Sequence, residues 1–141
     1  MKKQRIVALM ATLLFMGGVV QAQVHRSIKV NQLPSAARNY LRDGLGSFDV
    51  KQVDMVVDSF KTSYEVYLVG NTKVNFNRDG GWRIITTSTS LPEEAFPGEI
   101  WQYLKENYFG KPITRLQRYA DGYQVTVDGK DETFDLRGNH K

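Results

Sequence analysis

The chain has no cysteine among its 141 residues. Disulfides, thiol catalysis and thiolate metal sites are therefore excluded, as is the lipid anchoring that a bacterial secretory protein builds on a cysteine at its cleavage site. Histidine is scarce: His25 and His140 lie near opposite ends, where both are expected to be mobile. A histidine base needs a fixed orientation and a positioned nucleophile, so no Ser-His-Asp arrangement is expected and the chain reads as a non-enzyme. No run of Lys and Arg makes a nucleic-acid footprint. Past residue 22 no stretch approaches the ~20 apolar residues that a bilayer span needs.

The apolar run that does exist is at the start. Residues 6–20 follow Lys2, Lys3 and Arg5 and lead into Val20-Gln21-Ala22. That is the plan of a signal peptide, residues 1–22, cleaved after Ala22; an uncleaved anchor is the alternative, and the shortness of the run speaks against it. Cleavage removes three of the nineteen Lys and Arg and none of the fifteen Asp and Glu, leaving sixteen against fifteen. The mature protein, residues 23–141, is thus nearly neutral, expected in the periplasm or secreted, and without a nucleic-acid partner.

What fills the rest is said twice. Leu33-Pro34 with Tyr40-Leu41 recurs as Phe96-Pro97 with Tyr103-Leu104, and Val50 and Val53 recur as Ile113 and Leu116, all at an offset of 63. Tyr64-x-Val66-x-Leu68-x-Gly70 recurs as Tyr123-x-Val125-x-Val127-x-Gly129 at 59, and Phe76 and Gly80 recur as Phe134 and Gly138 at 58. The offset shrinks only where a loop would shorten, as in a duplicated structural unit. A single copy of roughly 60 residues is marginal alone, so the copies, about 30–87 and 92–138, are expected to share one core.

Within each copy a helix precedes strands. Leu33, Ala36, Ala37, Tyr40 and Leu41 make the stripe of a one-sided helix, opened by Pro34 and stopped by Gly44 and Gly46. Phe96, Ile100, Tyr103, Leu104 and Tyr108 do the same, opened by Pro97 and closed by Gly110. Residues 23–32 read as a loose lead-in. Strands follow at 48–57, with imperfect alternation that fits a bulge, then at 64–69, 73–77 and 82–87, with Gly70-Asn71 and Asp79-Gly80-Gly81 as turns. The second copy supplies 113–119, 123–127 and 132–136 and lacks its fourth strand. Alternation turns Tyr64, Val66, Leu68, Val74, Phe76, Tyr123, Val125, Val127 and Phe134 toward the helices. Glu65, Tyr67, Lys73, Asn75, Asn77, Gln124, Thr126, Thr133 and Asp135 fall on the other face. The fold class is therefore α+β: two tandem helix-plus-strand repeats sharing one antiparallel sheet of about seven strands, with the helices on one face.

The Leu-Pro helix start, the Tyr-x-Val-x-Leu strand, the Val-x-Phe strand and the Gly80-Gly81-Trp82 turn, taken in order and repeated, resemble the PepSY-like family of secreted bacterial proteins, which is similar to the β-lactamase inhibitory protein. The resemblance runs over about residues 33–138. It implies two helix-plus-sheet units in the periplasm and an open sheet face that grips a partner.

Candidate chemistry is sparse. Residues 75–80 (Asn-Phe-Asn-Arg-Asp-Gly) open like a calcium loop, but the twelfth position is Thr86 where a bidentate glutamate is needed, and the same residues build tight turns; no metal or cofactor is expected. Glu93, Glu94 and Glu99 complement the dipole of the second helix. Trp82 is expected to pack in the core or turn, and Trp101 to seal the helix–sheet seam or sit partly exposed. A protein or peptide partner is expected to meet Glu65, Tyr67, Asn75, Arg83, Ile85, Gln124 and Thr126, with Tyr67 as the aromatic anchor. Inhibition or regulation of an envelope hydrolase is the sharper form; small-ligand or ion sensing is the alternative.

Overall fold

A computed structural model describes residues 22–141, so the leader lies outside the described residues except for Ala22. Eight strands run in chain order as one antiparallel meander: β1 (Val24–Ile28), β2 (Val50–Asp58), β3 (Lys61–Leu68), β4 (Thr72–Phe76), β5 (Trp82–Thr86), β6 (Ile113–Tyr119), β7 (Gly122–Val127) and β8 (Lys130–Phe134). Helix α1 (Ser35–Gly44) precedes β2 and α2 (Ile100–Asn107) precedes β6. The eighth strand is the unexpected one. Residues 23–32 are not a loose lead-in: they form β1, paired along β2 from Val24↔Val57 to Ile28↔Val53, and a short 3-10 turn, Val30–Gln32.

The core lies between the helices and one face of the sheet. Ala37, Leu41, Ile100 and Leu104 from the helices meet Val66, Val74, Phe76, Ile85, Leu116, Val125 and Phe134 from the strands, all buried. Tyr64 and Tyr123 pack partly buried against them, on the side that alternation assigned. The two halves join through β5–β6, where Ile85 faces Leu116, and through aromatic stacking. Trp82 stands between Tyr40 (5.8 Å) and Tyr123 (5.9 Å), with the Arg118 guanidinium 4.3 Å over its ring. The Tyr40 hydroxyl reaches across to the Ala95 carbonyl (2.7 Å), and burial pushes its phenol well above the ordinary range. Trp101 is half-buried beside Phe96 and seals the seam of α2.

The duplication is visible atom by atom in the turn that closes each unit. Asn77 Oδ1 accepts the N–H groups of Asp79 and Gly81, and Asp135 Oδ1 accepts those of Arg137 and Asn139, all at 2.9 Å. Those donors hold the Asp135 carboxyl below the usual carboxylate range. Each turn then presents a glycine to the start of its own helix. At Gly80 (φ +93°) an added Cβ would stand 2.9 Å from the Ala37 nitrogen; at Gly138 (φ +92°) it would stand 2.5 Å from the Glu99 nitrogen. Both helices begin later than their prolines: Pro34 caps α1 from outside, and α2 starts three residues after Pro97.

The fourth strand of the second unit is reduced rather than missing. His140 forms a single bridge to Phe134, as Trp82 pairs with Phe76 in the first unit. Its ring stacks on Tyr103 at 4.1 Å, as Trp82 lies against Tyr40, and its Nε2 is 2.7 Å from Glu132 Oε1. His140 is therefore held, not mobile, and His25 is fixed in β1, 3.4 Å from Asp54 Oδ2.

Gly80→Ala and Gly138→Ala are each expected to lower stability by about 2–3 kcal/mol, since strain and steric overlap coincide at both positions. Urea unfolding checks this; the midpoint should fall with the slope unchanged.

Candidate functional site

Direct cross-strand partners share a face, so the register maps the surface away from the helices. One row runs Asp54–Glu65–Asn75–Ile84–Gln117–Gln124–Thr133 from β2 to β8. A second runs Gln52–Tyr67–Lys73–Thr86–Arg115–Thr126–Asp131. Glu65, Tyr67, Asn75, Gln124 and Thr126 all stand in these rows. Arg83 is exposed on the same side.

Ile85 does not belong there. It is fully buried, opposite Val74 and Leu116 under the helices. The register slips between Asn75↔Ile84 and Phe76↔Trp82, so Arg83 is an extra residue in β5. A bulge of this kind reverses the alternation beyond it. Ile84, half-buried between Asn75 and Gln117, takes the place expected of Ile85.

The predicted residues fall into two groups. Tyr67 and Gln124 or Thr126 stand on strands four steps apart, roughly 19 Å at ordinary strand spacing. In the first group, the Tyr67 hydroxyl donates to Glu65 Oε1 at 2.6 Å, and Lys73 Nζ lies 3.5 Å from that oxygen and 5.6 Å from the Tyr67 ring centroid. The hydrogen bond to Glu65, then burial and the nearby negative charge, push the Tyr67 phenol up to about 12. The ring is thereby held in one orientation. In the second group, Tyr119 donates to Gln124 Oε1 (3.1 Å) and Thr126 to Asp131 Oδ1 (2.6 Å).

Two features escaped the sequence pattern. Asp54 is buried directly opposite Glu65, which pairs like charges across strands; Gln52 Nε2 (2.9 Å) and His25 compensate it from one side and Tyr67 with Lys73 compensate Glu65 from the other. Period-two reading of Gln52, Asp54 and Val56 carried that signal, obscured by the apolar residues between them. The second is Phe60, fully exposed at the β2–β3 turn with φ +71°. A left-handed conformation at such a residue costs about 1–2 kcal/mol.

Residues 62–140 match a family profile described as beta-lactamase-inhibitor-like, PepSY-like. The chain belongs to the PepSY-like family. No curated protein matches it. Solved structures of periplasmic proteins do. One from Bacteroides thetaiotaomicron, described as calcium-regulated, is 27% identical with a TM-score of 0.73, the match covering 83% of this chain and 94% of that one. Another, from Bacteroides vulgatus and of unknown function, is 30% identical with a TM-score of 0.70 over 85% and 97%. A further Bacteroides vulgatus protein is 25% identical with a TM-score of 0.70 over 83% and 94%. The PepSY-like chain is thus a protein of the periplasm or the secreted fraction. Among its described residues the two histidines lie toward opposite edges of the sheet, and no helix is long and apolar enough to cross a membrane.

Glu65→Gln is expected to bring the Tyr67 phenol down toward the ordinary value of about 10. Because the folded pKa is the raised one, the stabilisation is complete below pH about 10 and is lost as pH climbs through about 12. Ultraviolet titration of tyrosinate should show one of the seven tyrosines moving to lower pH in Glu65→Gln, and the same transition disappearing in Tyr67→Phe.

Proposed function

We propose that the open face of the sheet is a docking surface for a protein or extended peptide in the periplasm, with inhibition or regulation of an envelope hydrolase as its sharper form. The mature protein begins after Ala22, and its two repeats, about 30–87 and 92–138, act as one domain. The observation that carries this reading is the contrast between faces. Toward the helices the repeats agree: Tyr64 with Tyr123, Val66 with Val125, Phe76 with Phe134. On the open face they differ: Glu65 against Gln124, Tyr67 against Thr126, Asn75 against Thr133. A scaffold needs the first set, and recognition of an asymmetric partner uses the second. Tyr67 is the natural anchor, since its ring is already oriented by Glu65 and Lys73, which lowers the ordering cost of binding.

Affinity capture from native periplasm with the full chain tests the reading. A partner retained by the wild type and weakened by about tenfold or more in Tyr67→Ala supports it; capture indifferent to every open-face substitution removes it. Assays of the captured hydrolase, with and without added protein, decide the inhibitory form.

The name of the Bacteroides thetaiotaomicron relative raises ion sensing as a second reading. The loop at residues 75–80 fits calcium poorly, because Asn77 Oδ1 is already occupied by two backbone N–H groups and Asn75 stands in the β4 ladder. Among the described residues no three of His, Asp and Glu gather to hold a metal. The melting temperature is therefore expected to be the same in millimolar calcium and in chelator; a calcium-dependent rise of several degrees would favour sensing.

A further inference from the structure

The β2–β3 hairpin turns on two residues, Ser59 and Phe60, between the paired Asp58 and Lys61. Both have positive φ, 51° and 71°. Turns of this geometry ordinarily use Asn-Gly, because bulky side chains clash in the left-handed region. Phe60 nevertheless holds its ring there, wholly in solvent and outside the hydrophobic core. Nothing among the described residues rewards that arrangement.

The ring stands at the lip of a groove of about 560 Å³ on the open face. Val56 and Ile84 form an apolar floor, and Lys61, Arg78 and Arg83 rise around it, all three exposed. None of the three joins an ion pair among the described residues. The one carboxylate in the lining, Asp58, is engaged by Gln23 Nε2 and Ser59 Oγ, each at 3.3 Å. The neighbouring acids of the face are also spoken for: Asp54 by Gln52 and His25, Glu65 by Tyr67 and Lys73. The groove therefore sets three cations against one carboxylate, with an apolar base and an exposed aromatic at its rim.

We infer that Phe60 and this groove anchor an acidic segment of a protein partner. Carboxylates of that segment meet Lys61, Arg78 and Arg83, while an apolar side chain enters between Phe60 and the floor of Val56 and Ile84. The inference rests on the open-face reading above and adds the partner's chemistry and the point of attachment. Charge of one sign around a groove speeds encounter and rejects partners of like sign, and an exposed aromatic supplies the desolvated centre of a small interface.

The test uses the full chain exported by a bacterial host and three fluorescent decapeptides of equal apolar content, one acidic, one neutral and one basic. Anisotropy is expected to show binding of the acidic peptide alone, weakening at high salt. Arg78→Glu with Arg83→Glu should weaken it by at least about tenfold. Ser59→Asn with Phe60→Gly should weaken it similarly while raising the melting temperature by several degrees, because that turn then adopts its preferred residues. Loss of binding in a more stable protein separates a docking role from misfolding. Absence of acidic-peptide binding at millimolar concentration overturns the inference, as does equal binding of the three peptides or wild-type affinity in both variants. Binding lost only in Tyr67→Ala or Thr126→Ala leaves the open-face reading standing and removes this one. Binding untouched by any open-face substitution removes both.

Discussion

Neither α-helix among the described residues can stand by itself. The first has ten residues and the second eight, and helices below about 12–15 residues are marginal in water. Each exists because its apolar stripe is pressed onto the sheet and its first turn is met by a glycine from the turn that closes the same repeat. Helix, strands and closing turn therefore stand or fall together in each unit. The aromatic stack of Tyr40, Trp82 and Tyr123 and the β5–β6 pairing then tie one unit to the other. With no cysteine in the chain, no disulfide adds to these contacts.

The same constraint separates scaffold from surface. Residues that press on the helices are bound by volume, and there the two repeats stay alike. Residues on the far side carry no such obligation, and there the repeats have gone different ways. Pre-set hydrogen bonds remain on that side, Tyr67 to Glu65 and Thr126 to Asp131 among them. They give that polar surface a fixed shape.

The sequence pattern made much of this legible because repetition and period-two alternation are both consequences of burial. Where burial is not the cause, the pattern is silent. β1 leaves no pattern because an edge strand needs only backbone partners, and Val24, His25, Arg26 and Ser27 are all exposed. Alternation places Ile85 on the wrong face because it cannot count an extra residue, and Arg83 is one. His140 gives no sign of its place in the sequence, because a histidine does not look like a tryptophan. Only the recurring offset of 58 and the shared stacking geometry show that it occupies the position of Trp82. Phe60 left no signal in the pattern at all, since its peculiarity lies in a backbone angle.

The one-residue bridge at His140 has a further consequence. A meander that never closes on itself offers two raw borders, and an unguarded border invites stacking of molecule upon molecule. Here the outermost ribbon on one flank reads Lys130, Asp131, Glu132, and that on the other carries His25 and Arg26. Ionic side chains at both margins act as gatekeepers, so the barrier against fibre growth in this open-ended sheet is written in its border residues rather than in its closure.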